Sequence, residues 1–522
     1  MDVVAAEGLG EGPEERPGAA DLSTLPEEEL RLLAYGSALG PEFELELLHE
    51  AMGSPVEELL AQVGRLVELG ILRERPGTER FGFVEESARA RIYRSMTESR
   101  LRVVHAKIAL SLERRNPEPA PEVVPELGRH FFLGKIPEKA WRYNLRAARL
   151  AQDRNEFENA IHHLERARRD LAGRSGPASG DLAAIDEALG GLHEKLGHPA
   201  VADAAYQASL NQVGPEDRRA RARLLLARAS IAQSRGPGEM DRGLREEALK
   251  LSTEIGDRPG QAAAHRLRGR TALQAGDYIT ALDEAMLALD LIAGEEDQSA
   301  QGECATDIAI VFAAMGPDVT EEAIRWLDRA IELFAREGDD FGRVRAFTHL
   351  ASVVGRSDPV LALEHLSKAR EFAERLTSPN LVIRSLLQGT EFRLALGEVE
   401  EAERDYQQAA RLLERVVDPR SGQMASLSHA MISERRGMWE EAEAAYRKAI
   451  ARSDELKLAA VAAECEFRLA RLRFKTRDLP GAREAFESAR RRGVERLVPG
   501  LAPAVRELAA EMTEPPPGGR GV

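Results

Sequence analysis

The chain has 522 residues, 43% hydrophobic, 5% aromatic and 31% charged, and its 72 Lys and Arg against 88 Asp and Glu leave a formal charge of −16. That balance excludes coating of nucleic acid or anionic membrane through bulk charge. Two cysteines far apart, Cys304 and Cys465, exclude a disulfide framework and a self-contained cysteine zinc site. With no apolar run near the roughly 18 residues of a membrane span, and no basic start or apolar core of a signal peptide, a cytoplasmic protein without membrane contact is expected.

Residues 1–22 are rich in Gly, Pro and Glu without an apolar period, which predicts a disordered tail. Thr24, with Glu27 three residues on, is placed to cap a helix ending at Gly40-Pro41. A second helix is expected from about Phe43 to Met52, closed by Gly53. Ser54-Pro55-Val56-Glu57 reads as a capping box with proline at the first helical position. The third helix it opens has an apolar face of Val56, Leu59, Leu60, Val63, Leu66 and Val67 and stops at Gly70. ILRER and RFGFV then flank Pro76-Gly77-Thr78-Glu79, the one hairpin expected, at about 71–84. Three helices followed by a hairpin is the layout of a winged helix, assigned to 23–96, with a helical linker over 97–150. A DNA-reading helix needs Arg, Lys, Asn or Ser toward the groove. The third helix offers Glu57, Glu58, Gln62, Arg65 and Glu68, so DNA binding is possible but disfavoured, although Arg89, Arg91, Arg94, Arg100, Arg102 and Lys107 follow.

Beyond residue 150 one phrase recurs: a turn residue, an acidic residue, then an apolar helix with small residues at fixed offsets. It appears as GDYITALDEAMLAL from Gly276, GEVEEAERDYQQAARLL from Gly397 and GMWEEAEAAYRKAI from Gly437. Alanine falls at 160, 202, 281, 323, 362, 402, 442 and 482, a spacing of about 40, with a degenerate copy around Gly236 to Leu251. A second alanine lies seven residues on at 167, 288, 330, 369, 409, 449 and 489. Small residues seven apart share one helix face and let a neighbouring helix approach closely. The Gly-Asp-Tyr turn and the alanines resemble the second helix of a tetratricopeptide repeat, whose usual length is about 34 residues. The first-helix signature is nearly absent, with Gly269 as one remnant. The expected fold class is all-α: a tetratricopeptide-like α-solenoid over 151–498 preceded by the winged helix. A C-terminal helix and a frayed tail follow over 499–522.

From Thr24 to Ala167 the order of landmarks resembles the region that follows the nucleotide-binding domain in STAND-class signalling ATPases, including LuxR-type and cyclase-associated members. These landmarks are Leu25-Pro26-Glu27, Leu39-Gly40-x-x-Phe43, Leu66-Val67-x-x-Gly70-Ile71-Leu72, Phe81-Gly82-Phe83, Ile92-Tyr93, His105, and Leu127-Gly128-Arg129-His130-Phe131. Glu85 stands where that family usually has His. The family's phosphate loop is missing: Gly134-Lys135 lacks the upstream glycine and the hydroxyl residue. The resemblance therefore implies a sensor arm without its ATPase.

No catalytic, metal or cofactor constellation emerges. His193 and His198 are five apart, so on one helix their rings would diverge. His162-His163 reads as surface, Gly173-Arg174-Ser175-Gly176 as a loop, and the two cysteines as small packed residues on first helices. The expected function is a non-catalytic scaffold or adaptor in signalling, binding a protein or peptide partner, with arginines that suit an acidic one, along the concave face. The repeat register places Arg266, Arg270, Arg384, Glu391, Met424, Met431 and Arg435 near that face. The alternative is a transcription regulator with a DNA-binding winged helix and a repeat sensor.

Overall fold

A computed structural model describes residues 25–513, apart from 155, 173–178, 235–238, 356, 377, 415–417 and 457. Thr24, the 1–22 segment, the Gly173–Gly176 stretch and the tail beyond 513 lie outside the described residues. The chain divides into two compact units, Met1–Ile185 and Asp186–Val522.

In the first unit, α1 (Glu27–Leu39), β1 (Glu42–Glu44), α2 (Leu45–Met52), α3 (Val56–Glu68), β2 (Leu72–Glu74) and β3 (Arg80–Phe83) come first. Next are α4 (Glu86–Ser95), α5 (Glu98–Arg115), α6 (Val124–Leu133), α7 (Pro137–Asp153) and α8 (Phe157–Ala172). The expected hairpin is present, but β1 makes a third antiparallel strand, in the order β1-β3-β2 with Phe43 opposite Phe81. The expected helix from Phe43 thus begins two residues later. Two glycines explain the strand. A Cβ at Gly36 would lie 2.8 Å from Phe43 Cε1, and one at Gly82 would lie 3.1 Å from the Pro41 carbonyl oxygen. The capping box is also corrected: Pro55 occupies the cap of α3 without a side-chain cap bond, and the Ser54 carbonyl accepts from His49 Nδ1 at 2.5 Å. Leu59, Val63 and Leu66 are buried, whereas Val56 and Leu60 are exposed. One core joins Leu32, Leu33, Leu48, Leu59, Leu66, Phe81 and Phe83 to Ile108, Leu127 and Phe131.

A polar chain threads this core. Tyr93 Oη lies 2.9 Å from His105 Nε2, and His105 Nδ1 lies 2.8 Å from His130 Nδ1, so one proton is shared between two neutral rings. Burial, with help from Arg129, lowers His105 to about 3, and burial lowers His130 well below its ordinary value. An unfolded imidazole takes up a proton near pH 6.5 while these do not. Their contribution is therefore complete above pH 6.5 and declines as pH falls toward 3. We expect the urea midpoint of the whole chain to drop from pH 7 to pH 5, by about 1–2 kcal/mol for His105 alone. A flat profile over that interval contradicts the assignment.

The second unit consists of helical hairpins. They are α9 (Ser179–Lys195), which spans the unit boundary, with α10 (Pro199–Gln212); α11 (Arg218–Ser234) with α12 (Glu239–Glu254); and α13 (Arg258–Ala275) with α14 (Tyr278–Ile292). Then follow α15 (Gln298–Met315) with α16 (Thr320–Glu337), α17 (Asp340–Val354) with α18 (Pro359–Arg375), and α19 (Pro379–Leu396) with α20 (Val399–Leu413). The last are α21 (Pro419–Arg435) with α22 (Trp439–Glu455) and α23 (Ala459–Lys475) with α24 (Leu479–Arg491), ending in α25 (Val494–Leu497) and α26 (Ala502–Thr513). This is an all-α helical-repeat solenoid of tetratricopeptide-like hairpins. Every alanine of both sequence series is fully buried. Ser209 and Ala248 complete the second series, and in the degenerate copy the first-series position is Asp241, buried beside Arg245 at 3.2 Å. Gly269 leaves close room for α14, since a Cβ there would sit 3.1 Å from the Ala281 carbonyl oxygen. No helix among the described residues is long and apolar enough to cross a membrane.

Several repeat helices are preceded by a glycine in the left-handed region followed by an acidic residue, as at Gly276-Asp277, Gly338-Asp339 and Gly397-Glu398. The aspartate accepts from the third residue's amide, as Asp277 does from Thr280 at 3.1 Å. In the last hairpin Arg477 takes the glycine's place at φ +67. Left-handed backbone costs an L-residue about 1–2 kcal/mol, and glycine's greater unfolded freedom returns roughly half of it. Arg477→Gly is therefore expected to raise stability by about 0.5–1 kcal/mol, read from the urea midpoint at constant m. A lowered midpoint contradicts this reading of the turn.

Candidate functional site

The first helices of successive hairpins stand side by side and line the inner wall of the second unit. The wall curls back on itself: Asn380 Nδ2 at the start of α19 donates to the Leu196 carbonyl at 2.7 Å. Side chains one helical turn apart project from each first helix: Arg266 and Arg270 from α13, Glu303 and Asp307 from α15, Arg345 and His349 from α17, and Arg384 from α19.

Signs alternate along this wall. Asp307 binds Arg266 Nε at 2.7 Å and Arg270 at 2.9 Å, while Glu303 binds Arg266 and also Arg345 at 3.1 Å. Burial would raise the Asp307 carboxyl, but the guanidiniums of Arg266 and Arg270 outweigh it and hold it below the ordinary range. Burial lowers His349 to about 4, and Arg345 and Arg384 add to the shift, so this ring is neutral at pH 7. Arg266 Nη2 is buried without a hydrogen-bond partner among the described residues. A cleft of about 280 Å³ opens here, lined by Arg266, Arg270, Asp307, Ser230 and Gln233, with Arg420 of α21 facing them across the curl.

Arg384 differs from its neighbours. Its side chain is exposed on the wall, and no carboxylate pairs with it among the described residues. The enclosing protein lowers its pKa, as do Arg420 and Arg345, while Asp418 opposes them. A guanidinium keeps its charge in such a setting.

Of the seven residues read from the sequence, the structure therefore brings Arg266, Arg270 and Arg384 onto one wall, with the first two neutralised by a shared aspartate. Glu391 pairs with Arg468 of α23 at 3.0 Å. Met424 and Met431 are half-buried in the packing between hairpins rather than free contact residues. Arg435 is exposed at the end of α21, without an ion-pair partner among the described residues. Glu303, Asp307, Arg345 and His349 were missed. The signal for them was the repeat spacing itself, applied to first helices from Arg266 to Glu303, Arg345 and Arg384.

Three smaller expectations are settled here. Gly197 adopts φ +77 and ends α9, so the His193 and His198 rings lie 5.8 Å apart instead of diverging. His163 is no surface residue: its Nδ1 meets Asn144 Oδ1 at 2.9 Å, and burial lowers it to about 4. Cys304 and Cys465 are buried on first helices, and burial pushes both thiols up to about 12, which leaves them protonated and unreactive. Among the described residues no group of three or more His, Cys, Asp or Glu is arranged to hold a metal ion.

No family model and no curated protein matches the sequence. Among solved structures, the chain is similar to a Signal Transduction ATPase with Numerous Domains (STAND) protein with a tetratricopeptide repeat sensor from Pyrococcus horikoshii. The identity is 16%, the match covers 85% of this chain and 66% of that one, just under two thirds of its length, and the TM-score is 0.41. It is also similar to a Rap protein complexed with Competence and Sporulation Factor, at 15% identity over 64% of this chain and 99% of that one, with a TM-score of 0.45. A third similar structure is the Rap conjugation gene regulator of plasmid pLS20 in complex with the Phr* peptide, at 13% identity over 74% of this chain and 95% of that one, with a TM-score of 0.44.

Proposed function

We propose that the protein is a non-catalytic, cytoplasmic scaffold or adaptor in signalling or regulation that binds a protein or peptide segment along the inner wall of its solenoid. The observation that carries this reading is the guanidinium of Arg384, which no carboxylate pairs among the described residues, on a wall where Arg266, Arg270, Arg345, Glu303 and Asp307 are paired. A carboxylate from a partner is the missing counter-ion, and the unpartnered Arg266 Nη2 offers a second donor nearby. The alternation of sign along the wall suits a chain with acidic and neutral positions better than a uniformly acidic one.

Residues 23–96 are taken as a winged helix used for docking, with 97–150 as a helical linker, the repeats over 151–498 and a terminal helix beyond. The α3 surface supports docking over DNA reading. Gln62 is buried, Arg65 is held by Glu29 at 2.6 Å, and the remaining polar side chains of its outer face are glutamates. Arg89, in the basic stretch that follows, is tied to Glu86 and to the Ser37 carbonyl.

Capture from native lysate with wild type, Arg384→Glu and Arg447→Glu baits tests the reading. Arg447 already pairs with Glu443 at 2.7 Å on an outer helix and serves as the control. Reversal at Arg384 is expected to weaken partner retention at least tenfold, about 1.4 kcal/mol or more, with no change for the control. Equal effects in both variants would remove the inner wall from the account.

A further inference from the structure

A second cleft, of about 770 Å³, lies among α20, α21 and α22 and does not use Arg384. It arises from three replacements visible when α21–α22 is set beside the preceding hairpin, forty residues earlier. Val382, Leu386 and Leu412, all in one apolar cluster, correspond to Gly422, Ser426 and Arg452. Where one hairpin is plugged with hydrocarbon, the next holds a guanidinium. Arg452 Nη1 donates to the Gly422 carbonyl and, at 2.8 Å, to Ser426 Oγ. A Cβ at position 422 would stand 3.4 Å from that nitrogen, so glycine leaves the room. The other Arg452 donors have no partner among the described residues, and neither does the ammonium of Lys448 one turn earlier.

The floor of the cleft is small and apolar, with Ala410, Ala425 and Ala445 beside an aromatic stack. The Tyr406 and His429 rings are parallel within 8° at 5.4 Å, and Glu441 steadies His429 from 3.0 Å. A volume in the range of small-molecule sites, an aromatic wall and an anchored fork donor together describe a pocket for a small organic ligand.

Charge decides its class. Four carboxylates line the cleft. Glu441 is engaged by His429, and Asp418 caps α21 through the Arg420 amide and the Ser421 hydroxyl. Glu414 and Glu455 remain, against Arg452 and Lys448. Two cations and two anions without an ion-pair partner among the described residues, around an apolar floor, suit a zwitterion better than a simple anion. We infer that this cleft binds an aromatic α-amino acid, with its carboxylate on Arg452, its ammonium toward Glu414 and Glu455, and its ring against the Tyr406–His429 stack.

Isothermal titration of the full chain with L-tryptophan, indole-3-propionate and tryptamine tests the assignment. L-Tryptophan is expected to bind one to one and at least tenfold more tightly than either single-charge analogue. Arg452→Gln is expected to weaken L-tryptophan at least tenfold and to leave tryptamine unchanged. Because Arg452 also fills space, the exposed Lys448→Gln is a second variant, expected to weaken L-tryptophan several-fold without altering the melting curve. Absence of L-tryptophan binding up to about 5 mM, where a millimolar site would be mostly filled, overturns the inference. So does equal affinity for all three probes, or binding indifferent to both variants. Arg384→Glu should leave this titration untouched, which keeps the site distinct from the inner-wall reading.

Discussion

Phe334→Ala is expected to destabilise the second unit by about 3–5 kcal/mol, the usual cost of emptying a buried phenylalanine site. Phe334 is fully buried near the end of α16 and packs between α15 and α17. Both neighbours meet it with glycine. A Cβ at Gly302 would lie 2.8 Å from Phe334 Cε1, and one at Gly342 would press still harder on the same ring. The ring therefore fills a space that three elements leave open, and none can close it without moving its own hairpin. Each repeat is stabilised mainly by its neighbours, so loss at this seam should also reduce cooperativity between the hairpins on either side. A urea titration followed by far-UV circular dichroism measures both effects. A loss below about 1 kcal/mol would show that the seam repacks freely, contrary to this account.

Asp307→Asn is expected to cost about 3 kcal/mol or more, the lower part of the range for breaking a buried ion pair from one side. The Asp307 carboxylate serves Arg266 and Arg270 together, and it is itself buried. With its charge removed, Arg266 retains only Glu303, and Arg270 loses its partner. The sign with pH follows from the depressed carboxyl pKa. The contribution is complete above about pH 4 and is lost as pH falls through the folded-state value, so the difference between variant and wild type should be large at pH 7 and shrink in acid. Thermal or urea unfolding at those two conditions is the check, and a pH-independent difference would mean that packing, not charge, is at stake. This result also revises the simplest reading of the groove. Arg266 and Arg270 support the wall, Arg266 keeping only Nη2 unbonded, and among the described residues Arg384 and Arg435 are the two of the four assigned arginines without a carboxylate partner.

The repeat architecture was legible because its main constraint is local. Two small residues seven apart on one helix face can be counted in the sequence without knowing what packs against them, and Ala281 with Ala288 or Ala442 with Ala449 behave alike. The degenerate copy escaped part of that reading because Asp241 stands where the others have alanine, with Arg245 supplying its counter-charge. The β1 strand was hidden for a different reason. Glu42-Phe43-Glu44 is too short to show alternation, and its pairing depends on Gly36 and Gly82, which are distant in sequence. The end of α9 at Gly197 was legible, but not that the turn there would bring the His193 and His198 rings back to within 5.8 Å. The inner-wall charges needed knowledge of which first helices stand together. Arg266 looks available by itself and becomes a paired residue only when Glu303 and Asp307 are set beside it.

The central claim is that partners bind on the inner wall. Photo-crosslinking from a benzophenone side chain tests it directly, placed in the full chain either at Gln388, one turn beyond Arg384 on α19, or at Arg447 on the outer α22. After irradiation in native lysate, adducts are expected from position 388 and not from position 447, and Arg384→Glu should abolish the adducts at 388. Adducts from position 447 alone, or adducts at 388 that persist in the Arg384→Glu chain, would contradict the account.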